Sequence, residues 1–185
     1  MRGGRGAQAA QGSKGRRVGL VDRILGRRRD QALPLYNAAV ARARQEHWYV
    51  EGAVPDTVDG RFDTIAAVLS MVLLRLEEEP AGAAPAAHLT ERFVDDMDQQ
   101  LREIGIGDIT VGKHIGKLMA ALGGRLGAYR DALAAGDLGP ALIKNLYRGE
   151  APAPEALEHV AGALSAFRSH LSAVPIARLL EGDLP

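Results

Sequence analysis

Carboxylates are the first residues in this chain that could do chemistry. Asp95, Asp96 and Asp98 form a DDMD run, with Glu91 and Glu103 close by. Such a run holds Mg²⁺ only when oxygens from elsewhere complete the shell, and no second acidic motif is present. Glu91, Asp95, Asp98 and Arg102 follow one another at spacings of 4, 3 and 4, one helical face. Local ion pairs there are worth about 0.2–0.5 kcal/mol each. His47, His88, His114, His159 and His170 match no H-E-x-x-H or paired-ligand spacing, so no metal site is expected. The chain has no cysteine, which excludes disulfides, thiol catalysis and thiolate-bound metals. The segment GIGDITVGK has glycines and a lysine but not the phosphate-cradling order G-x-x-x-x-G-K-[ST], and no serine stands in a nucleophile motif. Neither catalysis nor a cofactor is expected.

The unusual residues are glycines set inside a strongly periodic helical pattern. Gly112, Gly116, Gly123, Gly124 and Gly127 all fall between Val111 and Ala135. Each costs about 1 kcal/mol of helix propensity relative to Ala. Gly112, Gly116, Ala120, Gly124 and Ala128 recur every four residues, giving one smooth, shallow side. Two readings stand: close approach of another helix of the same fold, or a groove that receives a client helix.

The elements that must position these residues are helical. Period-3.6 apolar patterns run along the chain, sustained alternation is missing, and no window of about 18 apolar residues could span a membrane. The spacing predicts helices over about Pro34–Gln45, Gly60–Glu79 with Asp59 as N-cap, Ala86–Ile104 ending at Gly105, Val111–Ala135 ending at Gly136, Leu138–Tyr147 and Pro154–Ser172, with one last turn after Pro175. The expected fold is all-α, a single-domain irregular bundle of five to seven helices over residues 34–180. Only 4% of residues are aromatic, so its core must be largely aliphatic.

The formal net charge of zero hides an asymmetry. Residues 1–33 hold nine basic and two acidic groups, a net of +7, and the remaining chain is at −7. The Gly- and Arg-rich leader is expected to be largely disordered. Over residues 17–28 a short amphipathic helix would put Val18, Val21, Ile24 and Leu25 opposite Arg17, Arg23 and Arg27. It is either a solvated linker or a contact for an anionic surface, membrane lipid or ribosomal RNA. No secretory h-region follows it, and specific DNA binding is not expected from an acidic folded part.

Four segments, YNAAVARARQEHWY, VPDTVDGRFD, DMDQQLREIGIGDITVGK and GRLGAY, resemble in that order the ubiquinol–cytochrome c chaperone family. The resemblance runs from about Leu35 to Leu133. It implies an all-α, non-enzymatic assembly factor for ubiquinol–cytochrome c reductase that acts on newly made cytochrome b. The mitochondrial members it resembles work with a small partner protein and associate with the ribosome. The leader of this chain looks bacterial, which implies a cytoplasmic protein, peripheral on the inner membrane. The motif positions implied as client or partner contacts are Asp56, Asp59, Gly60, Arg61, Phe62 and Asp63. To these the second motif adds Asp96, Asp98, Arg102, Glu103, Gly107, Asp108, Gly112 and Lys113, and the third Arg125 and Tyr129. Gly116 and Gly124 join them from the glycine pattern. The acidic and basic motif residues have a structural alternative, pairing with one another in the loops. Two other functional classes stay open: a general helical adaptor, bound to ribosome or membrane and serving another client, and a nucleic-acid binder working through the basic leader.

Overall fold

The computed structural model describes residues 32–103 and 111–185, with side chains for 32–99 and 116–185. Leader residues 1–31 with their expected amphipathic helix, and Gly105, Gly107 and Asp108, lie outside the described residues. So do the side chains of Arg102, Glu103 and Lys113, and the surroundings of Gly112.

Among the described residues the chain forms seven α-helices and no strand: α1 (Leu33–Ala43), α2 (Val58–Leu76), α3 (Ala83–Glu103), α4 (Val111–Ala135), α5 (Gly139–Asn145), α6 (Pro154–Ser172) and α7 (Ile176–Leu180). Short 3₁₀ turns at Glu46–Trp48 and Pro80–Gly82 join them. Pro34 and Pro154 sit in the first turns of α1 and α6, where a missing N–H costs nothing. Gly136, with φ of +73°, stops α4 by entering the left-handed region.

The axis of the bundle is α2. Every residue from Asp63 to Leu76 is buried, because α1, α3, α4 and α6 all pack around this one helix. The run IAAVLSMVLL is apolar all round, the pattern of a central helix rather than a surface one. The two hydroxyls inside this wrapped helix are satisfied locally. The hydroxyls of Thr64 and Ser70 donate to the carbonyls four residues back, Gly60 at 2.8 Å and Ala66 at 2.7 Å. Arg75, only 4% exposed, donates to the carbonyls of Leu171 and Val174 and so caps the C-terminus of α6.

The N-cap of α2 is Thr57, not Asp59: its Oγ1 accepts from the Gly60 N–H at 3.1 Å, and Asp59 lies inside the first turn. Start and cap therefore come two residues earlier than the hydrophobic period suggested. Gly60 is required for a different reason. A Cβ there would come within 1.9 Å of the Pro55 carbonyl oxygen, so the loop can fold back only over a bare backbone.

Candidate functional site

The first and third motifs converge on one buried carboxylate. Asp63, fully buried on α2, accepts from Arg125 Nη2 of α4 through Oδ1 at 2.6 Å. Its Oδ2 accepts from Arg148 Nε at 2.6 Å, and Arg148 Nη1 reaches Asp59 at 2.7 Å. The Arg125 guanidinium lies 5.4 Å from the centre of the Phe62 ring, which in turn packs on Phe93 of α3 at 5.6 Å. Tyr129, one turn along α4 from Arg125, is completely buried beside them. Burial pushes its phenol well above the usual tyrosine range, with the Asp63 charge adding to the effect and Arg125 opposing it.

This cluster is a clamp rather than an acid–base site. Both Asp63 oxygens are occupied by guanidinium donors, and no solvent or substrate reaches them. Its effect is to lock α4 and the turn after α5 onto the central helix. Arg148 holds this position at φ of +55°, a conformation costing about 1–2 kcal/mol for a side chain with a Cβ. The other members of the first motif stand apart. Arg61 and Asp56 form an exposed local pair at 2.6 Å, in which Arg61 holds the Asp56 carboxyl below its usual range.

From the second motif, Asp96 of α3 accepts the phenol proton of Tyr36 on α1 at 2.6 Å. Burial first, then Asp96, drives the Tyr36 phenol far above its ordinary range. Asp98 is half-buried on the same helix. Asp63, Arg125 and Tyr129 thus meet, Asp96 serves a separate helix contact, and Asp56–Arg61 a third.

Gly116, Gly123, Gly124 and Gly127 lie on the other side of α4. Leu122 and Tyr129 are buried against the core, with Leu118, Leu126 and Leu133 packed at its edge. Gly116, Ala120, Gly123 and Gly124 are exposed and Gly127 half-exposed, while Met119 is 45% exposed. These six positions follow at i, i+3/4, i+7/8 and i+11, a continuous helical face opposite the buried one. Among the described residues no atom lies within 4 Å of a Cβ built at Gly116, Gly123, Gly124 or Gly127. Close packing of another described helix therefore does not account for them. Ala128, counted in the smooth side by its spacing of four, instead packs against the core, because a repeat of four drifts around a helix of 3.6 residues per turn.

Beside this face, between the C-terminal parts of α4 and α6, runs a cleft of about 590 Å³. Leu74 and Leu133 line it, and its charged groups are paired across the helices, Arg130 with Glu77 at 2.5 Å and Arg168 with Glu78. Two further groupings had no sequence signal. Arg148 joins Asp63 across 85 positions, and His47 meets His159 across 112.

Among the described residues no helix is long and apolar enough to cross a membrane. A family model described as ubiquinol-cytochrome C chaperone matches residues 51–184. This chain belongs to the ubiquinol–cytochrome c chaperone family. Its match covers the Asp63 clamp and the whole of α4. The structure is also similar to the crystal structure of the Cbp3 homolog from Brucella abortus, with a TM-score of 0.75 and 33% sequence identity over 90% of this chain and 94% of that one. No curated protein sequence matches the chain significantly.

Proposed function

We propose that this member of the chaperone family is a non-catalytic assembly factor that covers an apolar segment of newly made cytochrome b until it joins ubiquinol–cytochrome c reductase. The observation that carries this reading is the outward face of α4. Four glycines there weaken the helix by about 1 kcal/mol each, and no described neighbour packs against them in return. A bare backbone strip lets a second helix approach more closely than side chains would allow, which maximises dispersion contact with an apolar client. Met119, central on the strip, adds a flexible thioether that adapts to different apolar surfaces.

The Asp63 clamp fits this reading as a support. It fixes α4 through its inner side and leaves the outer side free, so the docking strip is presented on a rigid helix. The +7 leader completes the proposal as a tether to an anionic surface, lipid or ribosome, which raises the local concentration of the domain where the client emerges.

Deleting the gene in its host and recording cytochrome b spectra tests the reading. The expected result is loss of assembled reductase, with cytochrome b recovered on the tagged wild-type chain. Normal reductase levels in the deletion strain would remove it. Gly116→Leu and Gly124→Leu should weaken capture of cytochrome b while the chain stays folded.

A further inference from the structure

The segment after α1 reaches α6 through a pair of imidazoles and a close apolar contact. Nδ1 of His47, in the 3₁₀ turn Glu46–Trp48, lies 3.0 Å from Nε2 of His159 on α6. The rings meet edge to face, centroids 5.2 Å apart and planes at 70°, in a head-on hydrogen bond. Both are half-buried. A Cβ built on Gly52 would come within 2.5 Å of Val160 Cγ2, so the backbone after the turn lies directly on α6. That backbone is closed by two bonds, from the Gly52 N–H to the His47 carbonyl at 2.9 Å and from the Val54 N–H to the Trp48 carbonyl at 3.1 Å. Trp48 itself is 1% exposed and carries the His47 ring on its own, centroids 4.2 Å apart.

We propose that the His47–His159 pair is an acid-sensitive latch, which fastens the turn and the loop leading to Asp56 and Arg61 onto α6. It holds while the pair carries at most one added proton and lets the loop go when a second arrives.

The chemistry follows from what two ring nitrogens can share. A hydrogen bond between them needs one N–H and one lone pair. Gln45 Oε1 accepts from His47 Nε2 at 3.2 Å, so that nitrogen carries the proton and Nδ1 keeps the lone pair. Nε2–H of His159 therefore donates to Nδ1 of His47. A first added proton goes to Nδ1 of His159 and keeps the contact, now with a charged donor. A second can go only to Nδ1 of His47. It puts an N–H on each facing nitrogen and a positive charge on each ring, and attraction becomes repulsion.

The surroundings set where this happens. Arg42 of α1 faces His47 with a like charge and Glu51 of the following loop with an opposite one. Glu46 beside His47, and Glu155 and Glu158 near His159 on α6, are exposed, so solvent screens them. Burial first, then His159 and Arg42, lower the proton affinity of His47, and Glu51 opposes them. The folded ring thus takes up its proton at lower pH than the unfolded one. The latch contributes fully above the ordinary imidazole value of 6.5, and its contribution is lost as pH falls through the lower folded value.

The test is histidine-ring NMR on the full chain from about pH 7.5 to pH 5, with amide exchange followed in the same samples. His47 should titrate below 6.5, and His159→Gln, which removes the facing charge, should move it upward. Exchange at Gly52 and Val54, corrected for its intrinsic pH dependence, should accelerate below pH 6.5 by up to about tenfold per unit. The amide of Leu69 in the buried α2 should stay protected, which separates release of the loop from unfolding of the chain. His47→Gln should abolish the pH dependence, and His170→Gln, exposed on the same helix, should leave it unchanged. The unmutated chain alone decides the matter if a variant fails to fold. An unshifted His47, or exchange at Gly52 and Val54 that is flat with pH or rises only together with Leu69, overturns the proposal.

Discussion

Replacing Gly116, Gly123, Gly124 and Gly127 of α4 with alanine should make this protein more stable. Each added methyl group would stand in open space, with no described atom within 4 Å, so it introduces no clash. Each removes the conformational freedom that glycine gives the unfolded chain, worth about 0.5–1 kcal/mol. The four together should add about 2–4 kcal/mol, and at about 2–4 °C per kcal/mol for a domain of this size the midpoint should rise by about 5–15 °C. Circular dichroism melts and urea titrations of the full chain measure both quantities. The four substitutions are neighbours on one face, so departures from additivity belong in the comparison. A loss of stability would refute the reasoning, because it would mean that something already packs against the strip. In that case the glycines would serve an internal contact, and the client-docking reading would lose its main support. A stabilised chain that still captures cytochrome b, beside Leu variants that fold but do not, is the expected pattern.

Other perturbations probe the framework behind this face. Asp63→Ala leaves two guanidinium groups without their shared partner and should cost about 3–5 kcal/mol in urea unfolding. Arg148→Ala, at a half-exposed position, should cost about 1 kcal/mol or less. Thr57→Ala removes the side-chain cap of α2 and should cost about 1 kcal/mol, whereas Asp59→Ala leaves that cap intact. Alkaline pH should destabilise the fold. Burial is the chief cause that holds the phenols of Tyr36 and Tyr129 far above the ordinary tyrosine range and pushes that of Tyr147 up to about 12. Their unfolded forms lose protons near 10 while the folded ones keep them, so stability is fully present below pH 10 and falls as pH rises toward the folded values. Unfolding titrations across that range, repeated on Tyr36→Phe, should show a shallower fall in the variant.

The helices were legible because their apolar period is long and their ends carry Pro and Gly. The limits of α4 and α6 follow from Val111, Gly136 and Pro154 with no tertiary information. The role of α2 was harder to read, since a run apolar on every side looks like a broad face until the surrounding helices are known. At the start of that helix two side chains competed, and Thr57 capped it because its extended backbone aims Oγ1 at the Gly60 N–H. The site was legible in part. Asp63, Arg125 and Tyr129 stood in recognisable motifs, but their convergence, and Arg148 as the fourth member, depend on chain reversals that local spacing does not encode. The glycine pattern marked α4 as unusual, while the open space around Gly116, Gly123, Gly124 and Gly127 is visible only in the packing.

The central claim is that the outward face of α4 touches cytochrome b during its assembly. A photo-crosslinking residue at Met119, compared with one at Ala166 on the exposed side of α6, tests it most directly in cells making cytochrome b. The account predicts an adduct with newly made cytochrome b from position 119 and none from 166. No adduct from 119, in a chain that still supports reductase assembly, would contradict it.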